Sequence, residues 1–267
     1  MLTPINQTLL NSMELISDDI PLESVEESNI RRAALYNKTP GNLTGVDCAS
    51  CLNRGTIAIV QDGHLVIKEC ACMAARRSMA NIRRSGLAST LDVYTLDAYT
   101  TSQPWQVEAK AAATKYLQQQ RGWFLMSGSS GCGKTHLCTA ICGQLLQKGL
   151  PVRYFRWRED SVRLKAMVNE PDYEDIIAPY KRVKVLYIDD LFKGGGVTAG
   201  DLNLAFELLN SRYLNENLLT IISTEKSIHD LLQMDEAIGS RIYERCKLGG
   251  VVSIVGPGKN YRLMKGV

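Results

Sequence analysis

A glycine-rich segment has the residue types and spacing of a phosphate-binding loop. It reads GSSGCGKT at residues 128–135, directly after a predicted strand and before a helical stretch. Its glycines let backbone N–H groups turn inward around phosphate, and the start of a helix adds partial positive charge. Lys134 is expected to reach the β- and γ-phosphates of ATP, and Thr135 is expected to bind Mg²⁺. The predicted residues for binding ATP or ADP are Gly128, Ser129, Ser130, Gly131, Cys132, Gly133, Lys134, Thr135 and His136.

Two adjacent aspartates end the apolar run VKVLYIDDLF, residues 183–192. Asp189 follows a predicted strand at the end where such sheets bind ligands, so it is expected to complete the Mg²⁺ site. Asp190 stands where many ATP-hydrolysing proteins have a glutamate that activates water. It either polarises the attacking water or hydrogen-bonds to neighbouring backbone. Because aspartate is one methylene shorter than glutamate, the first role needs a closer approach or an intervening water, which predicts slow hydrolysis. We also expect hydrolysis to be stimulated by a partner subunit and by DNA.

Four cysteines bracket a predicted hairpin in the pattern C-x₂-C-x₁₈-C-x-C, and they are Cys48, Cys51, Cys70 and Cys72. Two pairs of thiolates at the base of a hairpin can meet around a tetrahedral zinc ion, so these four residues are the predicted zinc ligands. His64 is an alternative ligand, although its place in the turn predicts an exposed side chain. The other cysteines, at positions 132, 138, 142 and 246, are expected to be small buried residues.

Composition and charge limit the class of protein. The 267 residues are 45% hydrophobic and 22% charged, as in ordinary globular proteins. No apolar stretch approaches the roughly 20 residues of a membrane span. The first 30 residues are acidic and interrupted, unlike a secretory signal, so a cytoplasmic location is expected. Residues 1–100 carry 9 Lys and Arg against 11 Asp and Glu, and residues 101–267 carry 22 against 17, which permits a nucleic-acid partner for the second part.

The chain divides into two predicted regions, residues 1–100 and 101–267. The first has helical patterns near 5–16 and 23–37, a hairpin with strands at 56–60 and 64–69, a basic helix capped by Gly86, and a linker over 87–104. The second alternates strand-like and helical segments, with strands at 122–127, 152–157, 183–188, 218–223 and 251–255. This alternation predicts an α/β fold with a parallel sheet and helices on both faces.

Five ordered motifs resemble those of a known family. They are GSSGCGKT, VLYIDDLF, LTIISTEKS, GSRIYERC and KNYR. In this order they are similar to the AAA+ P-loop ATPases of the DnaC/DnaI helicase-loader and IstB group, especially the versions carried by phages and mobile elements. The resemblance implies an AAA+ core with a five-stranded parallel sheet in the order 5-1-4-3-2 and no substantial C-terminal lid.

The resemblance also implies residues that sense the bound nucleotide. The segment TIISTE, residues 220–225, matches the sensor-1 strand of the family, with Thr224 or Glu225 as the candidate residue. Relatives often carry asparagine where this chain has Glu225, so the choice between the two stays open. Arg262, in KNYR, matches a sensor-2-like position that contacts nucleotide.

An arginine of the GSRIYER segment is implied to act in the ATP site of a neighbouring subunit. Arg241 and Arg245 are four residues apart, so both lie on one side of a helix. An arginine placed there stabilises the charge that develops on the transferred phosphate. Either residue is a candidate, and the role requires the protein to associate with copies of itself.

Three segments are candidates for contact with single-stranded DNA. Residues 152–159, VRYFRWRE, interleave aromatic and arginine side chains that suit base stacking, or else form a buried strand followed by a helix start. The glycine-rich loop 193–201 permits motion, and Thr198 with Asp201 is typical of a helix start. The basic helix at 76–84 suits DNA, an acidic protein surface or a solvated face.

The resemblance implies a helicase loader with ATP or ADP, Mg²⁺ and Zn²⁺ as cofactors. DnaI-type loaders resemble this chain in carrying a small amino-terminal zinc-binding domain that docks on the replicative helicase. We therefore expect residues 1–100 to bind a DnaB-type helicase, and residues 101–267 to be the AAA+ ATPase domain that engages single-stranded DNA, with no membrane partner. Two alternatives stay open. One is an IstB-like transposition helper that acts with a transposase on duplex DNA, and the other is a nucleotide-gated binding module with negligible hydrolysis.

Overall fold

The computed structural model describes residues 24–84 and 88–264. The helix predicted near residues 5–16 and the cap predicted at Gly86 lie outside these ranges. Within them, no helix is both long enough and apolar enough to cross a membrane.

The chain forms two compact units. The smaller unit contains the described chain up to Leu43 together with Ala49–Cys70, and the larger unit contains Thr44–Cys48 and the chain from Ala71 onward. The functional boundary predicted near residue 100 stays a prediction.

The smaller unit begins with helix α1, Val25–Lys38, as predicted. Ser24 and Glu27 form a capping box in which each side chain accepts the other's backbone N–H, so two donors at the helix start are satisfied. At the other end, the Asn37 side chain donates to the Ala58 carbonyl at 2.8 Å and accepts the Ala58 N–H at 2.9 Å. This pair of bonds fixes the helix against the strand that follows.

The predicted hairpin is present in the same unit. Its strands, β1 (Thr56–Gln61) and β2 (His64–Glu69), pair antiparallel from Thr56↔Glu69 to Gln61↔His64. Asp62 and Gly63 both have positive φ, which is the conformation of a two-residue type I′ turn.

The larger unit contains a five-stranded sheet whose paired strands are all parallel. In chain order its strands are β3 (Trp123–Gly128), β4 (Val152–Arg156), β5 (Val185–Leu191), β6 (Leu219–Thr224) and β7 (Gly250–Ile254). They lie in the spatial order β4-β5-β6-β3-β7, which reads 5-1-4-3-2 from the β7 edge when the strands of this sheet are numbered by themselves. The predicted α/β class and strand order are therefore confirmed.

Helices precede, connect and follow these strands. They are α2 (Cys72–Arg84), α3 (Ala88–Leu91), α4 (Pro104–Gln119), α5 (Lys134–Gln147), α6 (Trp157–Ala166), α7 (Tyr173–Arg182), α8 (Ala199–Tyr213), α9 (Ile228–Met234), α10 (Glu236–Leu248) and α11 (Tyr261–Met264). Thr198 and Asp201 form a capping box at the start of α8, as predicted.

Two apolar clusters bury the sheet on both faces. Along β3, Phe124 and Met126 belong to one cluster, and Trp123 and Leu125 belong to the other. Because successive side chains of a strand point to opposite faces, the clusters lie on opposite sides of the sheet. This arrangement explains why the strands are continuous apolar runs rather than alternating ones.

The segment predicted as a linker, residues 87–104, contributes to the first of these clusters. Tyr99 is 5% exposed, and Leu91 and Leu96 pack against the cluster. The irregular spacing of these apolar residues hid their packing from the sequence pattern. As a result, this segment lies beside the glycine-rich loop, where a Cβ on Gly133 would come within 3.1 Å of the Tyr99 ring.

Candidate nucleotide site and cysteine cluster

The glycine-rich loop joins β3 to α5 in a conformation that requires its glycines. Gly128, Gly131 and Gly133 all have positive φ, a region that other residues rarely adopt. At Gly131 the requirement is also one of space, because a Cβ would lie 2.0 Å from Asn260 Oδ1. The loop is tied to the sheet by the Ser129 N–H, which donates to the Ile254 carbonyl at 3.1 Å.

The predicted nucleotide-binding residues occupy distinct places in this loop. Ser130, Gly131 and Gly133 line a cavity of about 260 Å³, whereas Cys132 is buried beneath it. Burial raises the pKa of the Cys132 thiol, and the nearby Lys134 acts in the opposite direction. Cys132 is therefore a packing residue of the loop rather than a lining residue of the cavity.

Lys134 is 5% exposed and is held inside the loop. Its ammonium group donates to the carbonyl oxygens of Gly128 and Ser129 at 2.9 and 3.0 Å. The loop thus stabilises a buried positive charge at one wall of the cavity, which is the placement that phosphate binding requires.

The cavity brings residues from four separate stretches of the chain together. Its lining residues are Tyr94, Ser130, Gly131, Gly133, Lys134, Thr135, His136, Asp190, Lys193 and Tyr261. Sequence reasoning identified the loop residues and Asp190 but missed Tyr94, Lys193 and Tyr261. The backbone of Tyr261 explains its presence, because its N–H donates to the Gly131 carbonyl at 3.0 Å.

His136 is packed between aromatic rings at the edge of the cavity. Its ring stacks on Tyr94 with the centroids 4.7 Å apart and meets Tyr99 edge-on at 5.3 Å. Its Nε2 lies 2.9 Å from the Thr95 carbonyl oxygen, so this nitrogen carries the proton. Burial lowers the pKa of His136, and the bond to Thr95 acts in the opposite direction.

Asp189 accepts hydrogen bonds from hydroxyl groups of four different residues. Its Oδ1 accepts from Tyr187 at 2.7 Å, from Ser223 at 2.5 Å and from Thr135 at 3.4 Å. Its Oδ2 accepts from Tyr154 at 2.7 Å. The residue is 8% exposed, so its charge is buried among neutral donors.

The two tyrosines of this set remain donors at ordinary pH. Burial, and after it the charge of Asp189, raises the pKa of both Tyr154 and Tyr187. Sequence reasoning missed Tyr154, Tyr187 and Ser223 as residues of the site. Only Tyr187 left a signal, because it is two residues before Asp189 and thus on the same face of β5.

Asp190 has a backbone conformation that turns its side chain toward the cavity. Its φ is +57°, and its N–H donates to Ser223 Oγ at 2.9 Å. Its carboxylate Oδ2 lies 2.9 Å from the ammonium group of Lys193, which is also 3.5 Å from Glu225 Oε1. The described partner of the Asp190 carboxylate is therefore a lysine side chain.

Thr224 and Glu225, the two sensor-1 candidates, differ in their surroundings. Thr224 is fully buried, and its hydroxyl donates to the Leu191 carbonyl at 2.8 Å and accepts the Lys226 N–H at 3.1 Å. Glu225 is exposed and faces Lys193. The sensor-1 assignment stays a prediction.

Arg241 and Arg245 lie on α10 in different environments. Arg245 is 4% exposed, and its guanidinium reaches Glu216 at 3.4 Å. Arg241 is half-buried and donates to Asn210 Oδ1 at 3.0 Å and to the Ala237 carbonyl at 2.8 Å. Its guanidinium carbon also lies 5.0 and 5.4 Å from the ring centroids of two aromatic residues, Phe206 and Tyr213.

The third predicted arginine, Arg262, has its backbone in α11 beside the glycine-rich loop. Its side chain lies outside the described residues, so its contact with nucleotide stays a prediction.

Aromatic residues of the VRYFRWRE segment are not arranged for base stacking, and this part of the prediction is wrong. Phe155 is fully buried and Trp157 is 3% exposed, since both belong to the second apolar cluster. Tyr154 is half-buried and uses its hydroxyl on Asp189. The alternative interpretation, a buried strand followed by a helix start, is the observed one.

The other two DNA-contact candidates both have exposed residues, the glycines of the loop and Arg77 and Arg83 of α2. Gly194, Gly195 and Gly196 are exposed, and a Cβ on any of them would meet nothing within 4 Å. On α2, the Arg76 guanidinium donates to the Thr44 and Val46 carbonyls, so it fastens the helix to the preceding chain.

The four predicted zinc ligands form a compact group. The Sγ atoms of Cys48, Cys51, Cys70 and Cys72 all lie within 4.8 Å of one another. Four sulfurs at about 2.3 Å from a tetrahedral zinc ion are roughly 3.8 Å apart, so this spacing suits the metal. The Gly55 N–H donates to Cys51 Sγ at 3.3 Å, a bond that favours the thiolate. His64 is exposed and is not a member of this group, so the all-cysteine set is the one that fits zinc.

The amino-acid sequence is similar to a known protein family and to several individual proteins. The family model described as IstB-like ATP binding protein matches residues 57–265. The phage-like element PBSX protein XkdC of Bacillus subtilis (strain 168) is 32% identical over 234 residues, which are 81% of this chain and 86% of XkdC. The replicative helicase loader DnaC of Escherichia coli (strain K12) is 22% identical over 193 residues, which are 70% of this chain and 77% of DnaC.

Solved structures share the fold. The crystal structure of the DnaC helicase loader aligns with a TM-score of 0.52 and 24% identity over 60% of this chain and 96% of that protein. The crystal structure of a DNA replication initiation factor aligns with a TM-score of 0.52 and 22% identity over 64% of this chain. The alignment spans about half of the initiation factor, 53% of its length. At these identities the likeness establishes a common fold and no common activity.

Proposed function

Because the chain belongs to the IstB-like ATP-binding family, as its five sequence motifs predicted, we propose that it hydrolyses ATP and loads a DnaB-type replicative helicase onto single-stranded DNA. One observation carries the ATPase part of this proposal. Lys134, Thr135 and Asp190 line one cavity, directly beside the buried carboxylate of Asp189. A cation for phosphate, two oxygen donors for a metal and a carboxylate for water are the groups that phosphoryl transfer to water requires.

The residues at the cavity fit Mg²⁺. Thr135 and Asp189 offer hydroxyl and carboxylate oxygens, the donors that this ion prefers. The hydrogen-bond partners described for Asp189 are neutral hydroxyls. They do not neutralise its negative charge, so the carboxylate can bind a cation. When bound there, Mg²⁺ would neutralise the charge that develops on the phosphate oxygens.

Other residues of the chain position the nucleotide and the attacking water. The backbone N–H groups of residues 128–135 and the Lys134 ammonium bind the β- and γ-phosphates. Asp190 accepts a proton from the attacking water. Thr224 or Glu225, together with Arg262, senses the state of the nucleotide.

Arg241 is our choice for the arginine that enters the site of the neighbouring subunit. It is half-buried at the surface of α10, whereas Arg245 is 4% exposed and would have to leave the core. An assembly of several copies is therefore part of the proposal, because each ATP site then needs an arginine from its neighbour.

The cysteine cluster supports the loader over other ATPases of the family. A structural zinc ion at this cluster would stabilise the hairpin region between Cys51 and Cys70, which has little apolar core of its own. We propose that residues 1–100 bind the helicase and that residues 101–267 form the ATPase. The likeness to DnaC, whose name is replicative helicase loader, supports the same partner.

Native mass spectrometry with the replicative helicase of the same host tests this proposal. We expect the wild-type protein to form a complex with the helicase, and we expect this complex to be lost after zinc chelation. Lys134→Ala should still bind the helicase, since Lys134 is remote in sequence from the cysteines, but it should not place the helicase on single-stranded DNA. Absence of any helicase complex, with ATP hydrolysis intact, would defeat the loader and leave the ATPase.

A transposition helper is the second candidate, and the match to the IstB-like family model favours it. Its ligand would be duplex DNA and its partner a transposase. ATP turnover measured with matched single-stranded and duplex DNA distinguishes the two functions. Stronger stimulation by the duplex would reverse the ranking, and no turnover under either condition would indicate a nucleotide-gated binding module.

A further inference from the structure

Lys193 lies between two cavities of the larger unit. One is the nucleotide cavity described above, whose lining residues include Lys193. The second has a volume of about 240 Å³ and is lined by Lys193 together with Arg158, Lys165 and the glycines 194–196. One lysine residue therefore borders both the nucleotide cavity and a second cavity.

Within the nucleotide cavity, Lys193 is bound to the carboxylate of Asp190. The Nζ–Oδ2 distance is 2.9 Å, and Glu225 Oε1 lies 3.5 Å from the same ammonium. The Lys193 and Asp190 side chains are 31% and 25% exposed, so water reaches this pair only in part. An oxygen that already accepts from an ammonium group is poorly placed to accept the proton of an attacking water.

The chain that follows Lys193 has few packing constraints. The Lys193 N–H closes a turn onto the Asp190 carbonyl at 2.9 Å, and three consecutive glycines follow. Gly194 has φ of +134°, and a Cβ on Gly194, Gly195 or Gly196 would meet nothing within 4 Å. Glycines without packing neighbours leave the backbone free to rotate, so the lysine can move without disturbing the core.

The lining of the second cavity includes three cationic side chains, Arg158, Lys165 and Lys193, and one described carboxylate, that of Asp201, so it has the charge to attract an anion. Arg158 is exposed, and Lys165 pairs with Asp201 at 2.5 Å. A phosphate group of single-stranded DNA in this cavity would compete with Asp190 for the ammonium of Lys193.

We propose that Lys193 restrains Asp190, and that single-stranded DNA bound in the second cavity releases this restraint. The proposal rests on the proposed function, since it assumes that Asp190 activates water. It makes Lys193 a positioning residue that couples DNA binding to ATP hydrolysis. Without DNA the Asp190 carboxylate is held by Lys193, and with DNA it is available to water.

The test compares ATP turnover with and without a single-stranded oligothymidylate, in the wild type, Lys193→Met and Lys193→Arg. In Lys193→Met we expect turnover without DNA to rise about 3- to 10-fold and stimulation by the oligonucleotide to fall below about 2-fold, because the restraint is gone. Lys193→Arg keeps a cation at Asp190 and should stay close to the wild type. Lys115→Met makes the same chemical change at an exposed position of α4 and serves as the matched control.

Binding of ATP measured on the same variants separates the possible outcomes. An affinity for ATP within about 3-fold of the wild type, with raised basal turnover, supports the restraint. Turnover in Lys193→Met that is unchanged, or that falls together with ATP affinity, would overturn it, since the lysine would then be a bystander or a phosphate ligand. If the wild type hydrolyses ATP but Lys193→Met does not show raised basal turnover, only the proposed restraint is wrong. The absence of turnover in every variant would defeat the proposed ATPase itself. Lys193→Gln is a second substitution in case the methionine variant does not fold.

Discussion

The Ser223 hydroxyl donates to Asp189 Oδ1 at 2.5 Å and at the same time accepts the backbone N–H of Asp190 at 2.9 Å. One side chain of β6 thus fixes the position of the candidate metal ligand and the backbone of the candidate base on β5. A serine at the end of one strand therefore sets the geometry of two neighbouring carboxylates on another.

Ser223→Ala is expected to lower ATP turnover and to raise the Mg²⁺ concentration required for half-maximal activity, each by about 10- to 100-fold, because the ligand loses a positioning partner. Turnover measured across a Mg²⁺ titration checks this expectation. Ser253→Ala, at an exposed serine of β7, is the matched control. A Mg²⁺ requirement in Ser223→Ala equal to that of the control would contradict the role of Ser223.

Arg241→Ala is expected to lower ATP turnover by about 10³-fold or more, as for loss of an arginine supplied by a neighbour. Lys134→Ala should be inactive for a different reason, since its own phosphate site is damaged. Mixing the two inactive variants should restore part of the activity, because some assemblies join an intact loop to an intact arginine. Failure to recover turnover in the mixture, at concentrations where the wild type assembles, would exclude Arg241 as the shared residue.

Arg245→Ala is expected to act on stability rather than on assembly. Its side chain is 4% exposed, so truncation removes packing and should cost about 1–2 kcal/mol of unfolding free energy. Thermal unfolding should show a lower Tm than in Arg241→Ala. Subunit mixing provides the converse check, because a folded Arg245→Ala that behaves like Arg241→Ala would exchange the roles of the two arginines.

Metal analysis of the full chain tests the cysteine cluster. We expect about one zinc ion per chain in the wild type and less in Cys70→Ser, because four thiolates at this spacing satisfy a tetrahedral ion. Cys142→Ser, at a buried cysteine of α5, should keep its zinc and controls for loss of a thiol. Equal metal content in the two variants would argue against the cluster as the site.

Stability should fall as the pH is lowered through the range in which histidine titrates. Burial lowers the pKa of His136 in the folded chain, and the unfolded value is about 6.5. Below about pH 6.5 the unfolded chain therefore binds more protons, so stability present above that pH is lost on acidification. Thermal unfolding between pH 7.5 and 5.5, without nucleotide, should show a smaller loss in His136→Gln than in the wild type. His64→Gln, at an exposed histidine, is the matched control, and an equal loss in the two variants would contradict the expectation.

The sequence by itself determined the features that depend on residues close together along the chain. The loop GSSGCGKT needs glycines at fixed positions because its backbone enters the positive-φ region, and residue type alone reveals that need. Continuous apolar runs separated by helical stretches are sufficient to predict a parallel sheet, and the ordered motifs added its strand order. The cysteine pattern predicted a cluster because a two-residue hairpin turn returns the second pair to the first.

Tertiary structure alone decided which side chains surround Asp189 and Asp190. Tyr154, Ser223 and Lys193 come from β4, from β6 and from the loop after β5, and their meeting depends on strand order and register. Tertiary structure also distinguishes Arg241 from Arg245. Their spacing of four residues predicts one side of a helix for both, but Arg245 is the more deeply buried of the two. Burial is a property of the packed molecule, so spacing along the chain identified the candidate arginines but did not rank them.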